Sequence, residues 1–500
     1  MAIPTPSFTT PEQPGRWYRG GIALAGFLLL AFLSRAATFG HPDLYVDETF
    51  YFAAGVEMLH GAIPFVDIWD RKPPGHFLLF AGIAAISDQF VTYQIVAAIF
   101  AGATAFVICR AARHLCGALA AGFGGATYLF SIYAFNGYGG QSAVFYNLFV
   151  ALAALLLLTS LSRMEERGTA LRIGMAMLCA GLAVAIKTSA VFEAAFFGLF
   201  AAATQIRARM PLSVTIRRIM VWALLALLPS AAFALWYFLH GYWDEYWTAM
   251  VLSNLRKPAE EAGAGLRLEV IVGMLAPLLA SAIVGCFVLP RAARSLLIGW
   301  MLAALVGFFA LPSFYLHYAL PLIAPLCVLA PAATHLRARG WILLASTAIP
   351  PLLFYIYVDN PQTQRVRAGM ERLVDAVNRG KAGGGDLLVF DGPPLLYTMT
   401  GSPFPTPLAF PNHLYQAEER DVSHIPTLPE VRRLLAARPG VVVDRTFPHT
   451  NRQTDRLVRA YIAINCRPMA SMKDRWGHTV TVYGLCRGDP TALSSPQPQN

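Results

Sequence analysis

Eleven stretches of this chain are apolar over lengths that approach the thickness of a bilayer. They run Gly20–Ala37, Tyr93–Ile108, Leu115–Phe135, Ala143–Leu161, Ile173–Ile186, Ala190–Thr204, Ile219–Leu239, Val270–Leu289, Leu296–Leu311, Tyr318–Ala333 and Trp341–Val358. Crossing the hydrocarbon layer takes about 20 helical residues. Hydrocarbon offers no partner to a backbone amide, so each run must satisfy its own hydrogen bonds as a helix. The split at Lys187 has an alternative, one long kinked segment in place of two short ones. Composition agrees with the runs. The chain is 56% hydrophobic and 14% charged, whereas soluble domains carry about 25% charge.

The net charge of +10 does not point to nucleic acid, because the arginines fall in short clusters between apolar runs. Arg16 and Arg19 precede the first run. Arg110/Arg113, Arg163/Arg167/Arg172, Arg207/Arg209/Arg217/Arg218, Arg291/Arg294 and Arg337/Arg339 follow runs two, four, six, eight and ten. All six clusters then fall on one side, which the positive-inside rule makes the cytoplasm. No nucleic-acid partner is expected.

The expected fold class is an all-α polytopic membrane protein of about eleven transmembrane helices with a small C-terminal α/β domain. Residues 1–19 form a cytoplasmic N-terminal tail without a cleavable-signal pattern. Residues 20–358 form the membrane domain, and 359–500 an external domain. In that last region Asp386–Asp391, Gly440–Asp444 and Thr479–Leu485 read as strands, and Gln362–Arg379 and Leu428–Ala437 as helices. Five cysteines (109, 116, 179, 286, 327) accompany apolar spans and read as small hydrophobes. Cys466 and Cys486 lie in the external domain and pair if their compartment is oxidising. No internal repeat is evident, and neither a P-loop nor a GxGxxG motif occurs in a strand–turn–helix context.

The first external loop, 41–90, concentrates the chemistry-bearing residues. Asp47 and Glu48 open a segment, Glu48–Leu59, whose apolar spacing suits an amphipathic helix at the membrane interface. Asp47 there suits an N-cap, a role compatible with catalysis. Asp67, Asp70, Arg71 and Lys72 place four charges within six residues. Pro73 and Pro74 stiffen the chain after Lys72, and a preorganised cation beside a bilayer suits a lipid phosphate. A hydroxyl is a poor nucleophile, so a carboxylate that accepts its proton helps the attack. Cations such as Lys72 and Arg71 suit the neutralising of a phosphate's charge.

The string Asp47-Glu48-Thr49-Phe50-Tyr51, followed by Gly61, Pro64 and Asp70-Arg71-Lys72-Pro73-Pro74, resembles the first external loop of the GT-C glycosyltransferases. It is most similar to the protein mannosyltransferase and aminoarabinose transferase superfamily, and also to bacterial galacturonosyltransferases that modify lipopolysaccharide. The likeness spans roughly residues 16 to 358. It implies an inverting transferase of the bacterial inner membrane that takes a sugar from a polyprenyl-phosphate donor. The acceptor would be an envelope glycan, lipid or protein on the periplasmic face. Asp47 matches the family's general base, Glu48 its acidic neighbour and Lys72 the donor-phosphate cation. Tyr51, Asp67 and Asp70 complete the substrate-binding candidates on this loop. A divalent metal near Asp47, Glu48 and Asp70 is the one cofactor the resemblance brings in. Arg71 stands where aminoarabinose transferases often carry a metal-binding Glu, and this departure argues against the metal. The loop Asn136–Gln141 lacks a carboxylate that many relatives place there.

Farther along, Lys187 ends an apolar helix on the external side, where it either snorkels or contacts donor phosphate; Glu193 is its candidate ion-pair partner. His317 and Tyr318, beside Tyr315, close a short external loop as interfacial anchors or substrate contacts. Trp243 and Trp247 flank Asp244 and Glu245 in an interfacial segment suited to sugar stacking. Two other functional classes fit a many-spanning chain. A lipid-linked sugar flippase would need charges near the membrane midplane, and few are present. An O-antigen polymerase or ligase would concentrate arginines in a late external loop, whereas here the charges come early.

Overall fold

A computed structural model describes residues 16–161, 166–258, 263–359, 361–382 and 384–486. The expected cytoplasmic tail therefore falls largely outside the described residues, as does Arg163. The chain divides into two compact units. The first comprises Met1–Ala36, Ile95–Ala232 and Glu261–Asp359; the second comprises Ala37–Gln94, Phe233–Glu260 and Asn360–Asn500.

Each of the eleven apolar runs is helical. Among the described residues, eight helices are long and apolar enough to cross a membrane: Val91–Ala112, Gly168–Ile186, Thr188–Arg207, Leu212–Leu239, Ala264–Val288, Arg291–Phe309, Leu316–Leu336 and Ala338–Val358. The three other runs, Gly20–Ser34, Ala118–Ala134 and Ser142–Leu158, give shorter apolar helices, as does Pro74–Ile86 within residues 41–90. The break at Lys187 is real. Its backbone is extended (φ −147°, ψ 120°) and a 3-10 turn, Thr188–Ala190, restarts the chain.

Within the first unit the helices meet through small residues and a few polar contacts, as membrane helices do. A side chain at Gly285 would collide with the Leu329 carbonyl, so only glycine permits that crossing. Asn147 donates to the Tyr128 hydroxyl (3.3 Å) and the Leu320 carbonyl (3.2 Å), and Ser281 donates to the Ala330 carbonyl (3.1 Å). The basic clusters also keep company. Trp222, after Arg217/Arg218, donates to Ala170 beside Arg172 (3.0 Å), and His335 bonds Leu115 beside Arg113 (2.8 Å).

The second unit carries a four-stranded sheet in the order β1-β2-β4-β3. β1 (Leu387–Val389) runs parallel to β2 (Val441–Arg445). β4 (Thr479–Gly484) is antiparallel to β2 and to β3 (Arg467–Lys473). β1, β2 and β4 match the three expected strands. β3 was not foreseen, and its mostly exposed edge position explains why: Pro468 and charged termini leave no apolar alternation to read. In this unit α1 (Val46–Leu59) packs on α2 (Pro74–Ile86). Helix α3 (Thr363–Lys381) covers β3 and β4, while α4 (Thr427–Ala436) packs on α5 (Arg452–Asn465). A Cys466–Cys486 disulfide closes the open end of the β3–β4 hairpin, which realises the pairing left open by the sequence.

Candidate functional site

The candidate site is built on the start of α1. That helix is not the amphipathic one expected, because Glu48 through Gly55 are buried without a break. The run Phe50-Tyr51-Phe52-Ala53-Ala54 is apolar on every face and is covered on several sides. Phe50 packs on Phe404 and Phe410, and Tyr51 on His76, Phe77 and Phe80. Gly55 lets α2 approach closely, since a Cβ there would sit 2.6 Å from the Phe80 carbonyl oxygen. The N-cap is Tyr45, with no side-chain cap bond, so Asp47 is not the capping residue. Asp47 and Glu48 both lie in the first turn, where the helix dipole favours negative charge.

Asp47 is paired instead. Its Oδ2 accepts from Lys72 Nζ at 3.0 Å, with the Asp47 side chain 24% exposed and that of Lys72 12%. Two features aim the lysine. Pro73 is the N-cap of α2 and Pro74 its first residue, so ring geometry fixes the chain immediately after Lys72. The ammonium also lies over the Tyr51 ring, 4.1 Å from its centroid. Tyr51 follows Asp47 by one helical turn, so both face the same way. Asp47, Tyr51 and Lys72 thus form one corner, with Glu48 wholly buried beside it.

Arg71 has a different fate. Its Nη2 donates to Glu419 Oε1 at 2.7 Å, and Lys257 Nζ donates to the same oxygen at 2.6 Å. His413 Nδ1 lies 3.4 Å from the other Glu419 oxygen, and His413 Nε2 lies 3.8 Å from Asp70 Oδ1. Burial pushes the Glu419 carboxyl up, but His413, Arg71 and Lys257 outweigh it and hold the group well below the usual carboxylate range. Sequence reasoning missed Glu419, His413 and Lys257. Each lies in a different local context from Arg71, and no motif links them. Asp67, a substrate-binding candidate, accepts the Ile63 amide at 2.8 Å and shapes the turn around Pro64.

Lys187, His317 and Tyr318 belong to the other unit. Lys187 caps the helix Arg167–Ile186. Glu193 accepts from the Trp300 indole at 2.7 Å. His317 stacks on Tyr315 at 5.8 Å and meets Tyr318 edge-on at 4.6 Å. Arg267, not foreseen, joins them: its guanidinium lies 4.8 Å from the Tyr315 ring centroid and donates to the Ser313 carbonyl at 2.8 Å. Trp243 and Trp247, on the short helix Trp243–Trp247, stack at 5.8 Å with both rings partly exposed. Gln141 is the buried N-cap residue of Ser142–Leu158. Among the described residues, no three His, Cys, Asp or Glu side chains form a set able to hold a metal ion.

These features define a multi-pass membrane protein with the GT-C fold, as the first loop led one to expect. Neither a family model nor a curated protein sequence matches the chain. Solved structures do. The chain resembles ArnT from Cupriavidus metallidurans bound to undecaprenyl phosphate, with a TM-score of 0.62 and 15% identity over 97% of this chain and 100% of that one. Apo ArnT from the same organism gives a TM-score of 0.63 and 14% identity over 96% of this chain and 100% of that one. Mycobacterial arabinofuranosyltransferase AftD gives 0.52 and 16%, over 96% of this chain and 42% of that one.

Proposed function

We propose that this protein is an inverting glycosyltransferase that moves a sugar from a polyprenyl-phosphate donor to an acceptor hydroxyl. The reaction would take place on the periplasmic face of a bacterial inner membrane. The observation that carries the reading is the Asp47–Lys72 pair, a carboxylate and an ammonium 3.0 Å apart and both partly open to solvent, in a chain with the ArnT fold. That relative was solved with undecaprenyl phosphate, the donor's lipid half. The acceptor class, whether envelope glycan, lipid or protein, is set by surfaces beyond this pair.

The roles follow from charge. A donor phosphate arriving at Lys72 competes with Asp47 for the ammonium and frees the carboxylate. Asp47 then accepts the acceptor's hydroxyl proton while the acceptor oxygen bonds to the anomeric carbon from the side opposite the phosphate. The anomeric carbon–oxygen bond to phosphate breaks, and polyprenyl phosphate leaves with its charge held by Lys72. Tyr51 keeps the ammonium over its ring throughout. Glu48, buried in the same turn, positions that turn. Arg71 belongs to the Glu419 junction and steadies the loop.

The test is the Asp47→Asn variant in membranes supplied with polyprenyl-phosphate sugar. A positioned general base contributes about 10²–10⁴-fold, so transfer should fall by that factor. Turnover within about threefold of wild type would remove Asp47 from the chemistry, and with it this reading.

A further inference from the structure

The carboxyl ends of β1 and β2 carry a second concentration of charge that sugar transfer does not use. Asp391 follows β1, Asp444 and Arg445 end β2, and His449 lies on the loop beyond. Parallel strands finish side by side, which gathers these groups at one edge. The His449 side chain is completely buried. Its Nδ1 lies 2.7 Å from Asp455 Oδ1 on α5, and its Nε2 lies 3.2 Å from Asp391 Oδ2 and 3.5 Å from Asp444 Oδ1. A neutral imidazole has one donor and one acceptor nitrogen. Here both nitrogens face carboxylate oxygens, and only the imidazolium donates on both sides.

Arg445 continues the network. Its Nε lies 3.5 Å from Asp391 Oδ1 and its Nη1 3.1 Å from Asp474 Oδ2, which His478 also approaches at 3.4 Å. Arg445 also acts on the buried carboxyl of Asp43, which burial otherwise pushes up. Asp43 stands four residues before Asp47. Tyr415 packs on the His449 ring at 5.1 Å, and its hydroxyl, pushed up first by burial, feels both Asp391 and Asp47. Arg459 also faces this node and pairs with Asp455 at 2.6 Å, and Arg475 acts on Asp43.

We propose that His449 is a proton-operated latch, a buried imidazolium that ties the carboxyl ends of β1 and β2 to the start of α5. When His449 loses its proton, Asp391, Asp444 and Asp455 face one another across a neutral ring, and the edge loosens. Burial pulls the imidazole down, but Asp391, Asp444 and Asp455 outweigh it and hold it above its ordinary value of 6.5. A raised folded value stabilises fully below the unfolded one and is lost as pH rises through the folded one, so the latch opens on the alkaline side. Asp444, raised by burial to about 6, titrates below that window.

Hydrogen exchange by mass spectrometry on the full chain in detergent tests this, following a peptide over residues 441–458 from about pH 6 to about pH 9, with rates corrected for intrinsic exchange. In the wild type, protection should fall about tenfold or more as pH rises above about 6.5. Asp455→Asn should move the midpoint down by about one pH unit, and His449→Gln should give low, pH-independent protection. A flat wild-type profile overturns the latch, as does an Asp455→Asn midpoint equal to wild type, and both remain decisive if His449→Gln does not fold.

Discussion

Arg71 and Lys72 are neighbours in sequence, yet they anchor two differently built regions. Lys72 meets Asp47 in a corner where the carboxylate stays 24% exposed. Arg71 meets Glu419, which is 4% exposed and also holds Lys257 and faces His413. The first region can open to a ligand at little energetic loss, because a partly solvated pair contributes at most about 1 kcal/mol. The second cannot, because breaking a buried pair strands a charge at about 3–5 kcal/mol. A rigid junction immediately beside an exchangeable pair is what a phosphate-binding corner needs.

That contrast predicts a ranked series. Glu419→Ala should give the largest loss of stability, about 3–5 kcal/mol in urea or thermal unfolding of the purified chain, since Arg71 and Lys257 both lose their partner. The Glu419 carboxyl is depressed in the fold, so its contribution is present above the ordinary value of 4.5 and lost as pH falls below it. The wild-type profile should show that acid limb and Glu419→Gln should lack it. Replacing Cys466 and Cys486 by Ser should cost about 2–3 kcal/mol, given a separation of 20 residues. Gly55→Ala should cost about 1–3 kcal/mol, because the new methyl meets backbone at Phe80. Lys72→Met should cost less than about 1 kcal/mol. Should Lys72→Met destabilise as much as Glu419→Ala, the two regions are not built differently.

The sequence made one of these regions legible and hid the other. Asp47 and Lys72 lie 25 residues apart within one loop, and the two prolines announce that the lysine is held. Glu419 lies 348 residues from Arg71 and 162 from Lys257, and nothing local marks its function. The apolar helices were readable because hydrocarbon imposes a length on each of them. Helix α1 was misread as amphipathic because covering residues such as Phe404 and Phe410 come from the distant tail. The parallel pair β1–β2 showed as buried runs of Leu and Val, whereas the partly exposed β3 offered no such pattern.

The division of labour at the corner is best tested by binding. Polyprenyl phosphate should be titrated into purified wild-type, Asp47→Asn and Lys72→Met protein. With Lys72 released from its carboxylate, Asp47→Asn should bind as tightly as wild type or tighter, while Lys72→Met should bind about tenfold or more weakly, the loss of one charge-assisted contact. Equal affinity for Lys72→Met and wild type, or a binding loss confined to Asp47→Asn, would contradict the assignment of phosphate to the lysine and proton transfer to the aspartate.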